Sequence, residues 1–171
     1  MAQQFKHASL AIIALSVVFL FMQKDVNAQK KSKKAQEKPA AALAAAPPEI
    51  AFTVGMSKPW THLLEVQVSV KWDQMPEALD LKMPVWTPGS YLIREYARHV
   101  QDFGVKNSAG ADLVWQKSSK NTWTIKTGGA KEIKASYQVY ANELTVRTNE
   151  VNSEHAFWNN GATLMFVKGQ L

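Results

Sequence analysis

Hydrophobic and polar residues alternate along much of this chain with the period of two that marks a strand with one buried face. The cleanest case spans residues 61–72. Leu64, Val66, Val68, Val70 and Trp72 share one face, and Glu65, Gln67, Ser69 and Lys71 share the other. Ile50, Phe52 and Val54 predict a strand before it, ended at residues 55–59, and Leu79, Leu81, Met83 and Val85 predict a third that continues to Trp86. Residues 73–77, with Pro76, read as the turn between the second and third. Residues 96–105 fit another strand. Leu92, Tyr96, His99 and Phe103 also fit a helical spacing, but the β-rich context favours the strand. Asn107-Ser108-Ala109-Gly110 predicts a hairpin turn, and residues 113–116 and 122–127 pair naturally around 118–121. Gly128-Gly129 reads as the turn of a further hairpin leading into residues 133–140, and 144–148 and 162–167 are the last strands expected. Only residues 35–46 have strong helix propensity, and Pro39 with Pro47-Pro48 argues against a long helix there. Short strands punctuated by turn signals predict an all-β fold, an antiparallel β-sandwich.

One turn stands out chemically. The third strand runs into Trp86-Thr87-Pro88-Gly89-Ser90, where Pro88 fixes φ and Gly89 supplies the positive φ of a type II turn. Beyond it lie Tyr91, Arg94, Glu95, Tyr96, Arg98 and His99, the densest polar and aromatic cluster in the sequence. The plain structural reading pairs Arg94 and Arg98 with Glu95 or Asp102 to pin the turn. The functional reading makes Trp86, Tyr91 and the arginines an interface. A second cluster runs from Tyr140 through Asn142, Glu143, Arg147 and Asn149 to His155, Phe157 and Trp158. There Asn142-Glu143 can form a turn with Arg147 pairing locally, or the carboxylate can hold a substrate ammonium.

The first 48 residues follow a different plan. Lys6 and His7 precede an apolar run over residues 8–22, followed by Val26-Asn27-Ala28, the layout of a secretory leader. At ~1.5 Å per residue the run spans about 22 Å, short of a ~30 Å hydrocarbon core. That favours a signal peptide over residues 1–28, cleaved after Ala28, rather than an uncleaved anchor. Either way the rest is expected to be exported to the periplasm or envelope of a bacterium. Residues 29–48, rich in Lys, Ala and Pro, read as a disordered linker. Membrane contact is expected only through an uncleaved leader or this basic stretch.

Charge and cysteine content narrow the function. Residues 1–48 carry 7 Lys/Arg against 2 Asp/Glu, whereas residues 49–171 carry 13 against 12. The basic balance therefore belongs to the leader and linker, and nucleic acid is not an expected partner of the nearly neutral remainder. There is no cysteine, which excludes disulfides, thiolate catalysis and thiolate metal sites. Residues 49–171 suffice for one domain with its own core.

Catalytic motifs are missing from the sequence. No two histidines stand three or four residues apart, and neither a nucleophile elbow nor a phosphate-binding loop is present. A triad of Ser90, His99 and Asp102 rests on sequence proximity alone. No catalytic residue and no metal ligand is assigned.

Trp86-Thr87-Pro88-Gly89-Ser90-Tyr91, then residues 94–100, then residues 140–148 resemble the N-terminal domain of M61 peptidases, the glycyl aminopeptidase family. The resemblance covers residues 50–171. It implies a β-rich N-terminal domain of an exported metallo-aminopeptidase, itself non-catalytic, that packs on a zinc domain and shapes its substrate cleft. It also implies that the zinc and its His-Glu-x-x-His ligands belong to a catalytic domain expected downstream. No position in these residues matches those ligands, so this chain is expected to be inactive alone and to hold no cofactor. By analogy with the related M1 enzymes, Glu143, with Asn142 beside it, is the candidate for meeting the amino terminus of a peptide substrate. Trp86, Pro88, Gly89, Tyr91, Arg94, Glu95, Arg98, His99, Arg147 and Trp158 are the interface or turn residues. The resemblance further predicts an apolar docking patch around Trp158 and Phe166. The competing reading is a stand-alone exported module that binds a peptide, a glycan or an envelope partner.

Overall fold

Backbone pairing turns the alternating pattern into two antiparallel four-stranded sheets. The computed structural model describes residues 46–170; the expected leader and most of the linker lie outside them. The first sheet has the order β1-β2-β7-β4 and is built from β1 (Glu49–Gly55), β2 (Leu63–Lys71), β7 (Glu132–Tyr140) and β4 (Val100–Asn107). The second has the order β10-β3-β6-β5, from β10 (Phe166–Val167), β3 (Ala78–Lys82), β6 (Thr122–Lys126) and β5 (Trp115–Ser119). A separate ribbon pairs β8 (Glu150–Val151) with β9 (Ala156–Phe157), and one helical turn, α1 (Asn160–Thr163), precedes β10.

The inward faces of both sheets feed one core. β2 contributes Leu64, Val66, Val68 and Val70, and β7 contributes Ile133, Ala135, Tyr137 and Val139; all are buried. Opposite them stand Leu79 and Leu81 of β3 and Trp123 and Ile125 of β6. Phe103 of β4 stacks on Trp123 at 5.4 Å between ring centroids and meets Trp115 of β5 edge-on at 4.8 Å, tying the two sheets together. Tyr137 reaches past the sheet. Its hydroxyl donates to the Thr163 carbonyl at 2.9 Å and accepts from the Met165 N–H at 3.1 Å, so the segment leading into β10 is pinned to the core. Burial pushes that phenol well above its ordinary pKa.

Several sequence expectations are corrected. The second strand begins at Leu63, because Pro59–Thr61 forms a 3-10 turn and His62 takes a left-handed φ of 58°. The third ends at Lys82: Pro84 has no N–H to offer a ladder, and the Met83 N–H goes to the Asn121 carbonyl instead. Residues 96–105 divide between the two readings, with a 3-10 turn over Tyr96–His99 and then β4. Gly128-Gly129, at φ 59° and 78°, joins β6 to β7 across the two sheets and is not a hairpin turn.

Residues 144–148 form no strand. The Thr145 hydroxyl accepts from the Arg147 N–H and the Thr148 hydroxyl donates to the Glu143 carbonyl, so side chains hold this backbone in a local turn. Residues 162–167 are split in the same way. Asn159 caps α1 by accepting from the Gly161 N–H at 2.9 Å, and only Phe166 and Val167 pair as strand.

Candidate functional site

The break after β3 places a turn, a tight segment and a loop around one hollow. At the turn, the Ser90 N–H donates to the Thr87 carbonyl at 2.9 Å and Gly89 sits at φ 83°, a backbone that favours glycine. Pro88 and Gly89 are exposed at its tip. Trp86 and Tyr91 stack across it at 6.4 Å, 51% and 84% exposed. Thr87 lies against Gly161 of α1 so closely that a Cβ there would collide with its methyl group. The chain then returns, held by the Arg94 N–H on the Val85 carbonyl at 2.6 Å, and tightens into the 3-10 turn that aims Arg98 and His99 outward.

The loop after β7 supplies the facing wall. The Ala141 N–H donates to the His62 carbonyl, and the Glu143 N–H to the Asn149 carbonyl, which closes residues 143–149 on themselves. Buried Asn149 is the staple: its side-chain oxygen accepts from the Asn159 N–H at 2.9 Å and from the Thr163 hydroxyl at 3.2 Å. Between the two walls lie adjoining hollows of about 290 and 340 Å³. Both are lined by Tyr96, Arg98, His99, Glu143 and Thr148; Asn142 belongs to the first, and Arg94 and Arg147 to the second. Two stretches separated by some forty residues in sequence thus face one another.

The electrostatics depart from simple pairing. Glu95 bonds Lys120 at 3.0 Å, with both side chains exposed, and that contact holds its carboxyl below the usual range. Arg98 Nε donates to His99 Nε2 at 3.0 Å. Burial, with the Arg98 charge added, keeps the His99 imidazole below its ordinary value of 6.5, while Glu143 pulls the other way. Among the described residues neither Arg94 nor Arg98 forms a salt bridge with Glu95 or Asp102, so the expected pinning pairs are replaced by Glu95–Lys120. Arg147 likewise has no local carboxylate partner; its backbone N–H, not its charge, serves the turn. Asp102 sits at a left-handed φ of 50° at the irregularity in β4, away from this cleft.

Exposed apolar side chains concentrate beside the cleft. Leu92 and Ile93 are 64% and 72% exposed, and Leu144 and Val146 on the opposite loop 62% and 79%. Trp158 is 37% exposed next to Phe157, whereas Phe166 is half-buried in β10, so the apolar surface centres on residues 86–93 and not on Trp158 and Phe166. Tyr96, Thr148 and Asn149 belong to the two sequence clusters but are not among the site residues expected from them. Tyr96 and Asn149 were both legible only as members of polar stretches, because their burial depends on contacts made across the fold.

The class this arrangement defines is a β-rich domain with a polar cleft at one end. Among the described residues no group of three or more His, Cys, Asp or Glu side chains comes together to hold a metal ion. The family model "Peptidase M61 N-terminal domain" matches residues 51–171, and the chain belongs to that family. No curated protein matches the chain. Among solved structures, an aminopeptidase N family protein from Idiomarina loihiensis is similar, with a TM-score of 0.66 and 30% identity over 71% of this chain. The match spans only 20% of that protein's length.

Proposed function

We propose that this chain is the non-catalytic N-terminal domain of an exported M61-type metallo-aminopeptidase, and that it packs on a zinc catalytic domain and walls one side of its substrate cleft. The observation that carries the reading is the meeting of residues 93–99 and 142–149 around one cleft, with Glu143 on its wall and an apolar rim alongside. Glu143 offers a carboxylate to a peptide ammonium, and Asn142, bonded through its amide to the Tyr140 hydroxyl at 3.2 Å, flanks it. Leu92, Ile93, Leu144 and Val146 supply the surface that a second domain would cover.

Zinc does not fit the described residues, since no three candidate ligands converge among them, and no chemical step is assigned to it. The first experiment is an aminopeptidase assay of the purified chain on glycyl and alanyl substrates, with and without zinc. No turnover is expected in either condition; zinc-dependent turnover would overturn the reading. The docking half is tested by adding the zinc domain of a family member in trans. Binding is expected to be lost in Ile93→Asp, and a chain that stays monomeric and binds no hydrophobic dye would favour a stand-alone module.

A further inference from the structure

Three arginines border the larger of the two hollows, and none is paired with a carboxylate among the described residues. Arg94, Arg98 and Arg147 form no salt bridge with any described residue. Glu95, the nearest carboxylate in sequence, is already engaged by Lys120. Two donors nearby are buried without an acceptor among the described residues, Arg94 Nε and the Tyr96 hydroxyl. Tyr96 is only 3% exposed and yet lines both hollows. A buried donor left without an acceptor is costly, so a fold keeps one where something else completes it.

We propose that this hollow is a carboxylate-binding site that takes a free carboxylate of a peptide, carried either by its C-terminus or by an acidic side chain. A carboxylate is an acceptor-only group whose two oxygens match the fork of a guanidinium. A single negative charge suits the site better than the nearly double charge of a phosphate, because Glu143 already stands on the same wall. Ile93, 72% exposed at the rim, offers an apolar contact for the adjoining peptide carbons. The inference requires neither domain docking nor a role of Glu143 with an ammonium, since the arginines supply the recognition; Ile93 is the one residue it shares with the proposed docking surface.

The test is a titration of the full 171-residue chain, followed by ligand-observed NMR. The probes are acetyl-diglycine, its C-terminal amide, acetyl-glutamate amide and inorganic phosphate. At least one carboxylate peptide is expected to bind saturably, and acetyl-diglycine amide about tenfold more weakly or not at all. Which of the two carboxylate peptides binds identifies the source of the group. Arg147→Gln, at an exposed position, is expected to weaken binding about tenfold while leaving the circular dichroism unchanged, and added salt to weaken it further. Arg98→Gln provides a second variant with the same expectation. Binding of acetyl-diglycine amide as tight as that of the better carboxylate peptide, tighter binding of phosphate, an affinity unmoved by Arg147→Gln, or no saturable binding of either carboxylate would overturn the proposal.

Discussion

The inner faces of the sheets and the cleft at their end handle polar groups in opposite ways. Along β2 and β7 the register runs without interruption from Leu63 opposite Tyr140 to Lys71 opposite Glu132, and the buried phenol among those strands has a partner for both its proton and its lone pair. Around the cleft, three guanidinium groups lack carboxylates among the described residues, and the two buried side-chain atoms that have no partner there, Arg94 Nε and Tyr96 OH, both belong to the segment that forms its wall. The chain satisfies itself where it needs only itself. It leaves groups unpaired around the cleft, and functional sites are where local rules are expected to be broken.

That contrast can be broken from the core outward. Leu81→Ala removes a fully buried side chain between the sheets and is expected to cost roughly 2–5 kcal/mol, read as a lower urea midpoint with an unchanged slope. Tyr137→Phe should cost about 1–3 kcal/mol, because it strands the Thr163 carbonyl and the Met165 N–H together. A loss no larger than a few tenths would show that the core tolerates open polar groups as the cleft does. Gly161→Ala drives a methyl group into Thr87; about 1 kcal/mol is expected, with a change in the tryptophan fluorescence of the 86–91 turn.

At the cleft itself the effects shrink. The folded-state pKa of His99 lies below its ordinary 6.5, so protonation opposes folding there. Its contribution is complete above that ordinary value and is lost as pH falls through the lowered one. His99→Gln should therefore flatten the fall in stability on the acid side of 6.5, as measured by urea melts at a series of pH values. Lys120→Ala removes an exposed ion pair and is expected to leave the midpoint unchanged; a clear loss would mean that this pair holds the 3-10 segment in place.

The sheets were readable because their determinant is local. Alternation at Leu64, Val66, Val68 and Val70 states both the strand and its buried face, and the structure follows it residue by residue. The strand expected over 144–148 failed for an equally local reason. Leu144 and Val146 alternate, but they point to solvent, and the hydroxyls of Thr145 and Thr148 hold the backbone in a turn. The residues of the cleft were visible as two clusters, but their meeting was not. It depends on Asn149 reaching Asn159 and Thr163, and on the 3-10 turn over Tyr96–His99, both products of contacts between distant segments. The arginines were assigned to Glu95 and Asp102 because sequence neighbours were the only partners in view; Lys120 lies across the fold on the turn between β5 and β6.

The position of β2 has a consequence in time. Its neighbour β1 is made just before it, but its other neighbour, β7, is made only after the whole second-sheet hairpin and β4 have followed. Until β7 joins, β2 therefore has one ladder edge without a partner, next to the apolar face of Leu64, Val66, Val68 and Val70. Closing so long a loop is entropically slow, and an open apolar edge is the part of a nascent chain most prone to pair with a stranger. Pairing of Tyr140 with Leu63 is thus expected to come late in folding, and a holdase that shields β2 until then is expected to raise the yield of native protein.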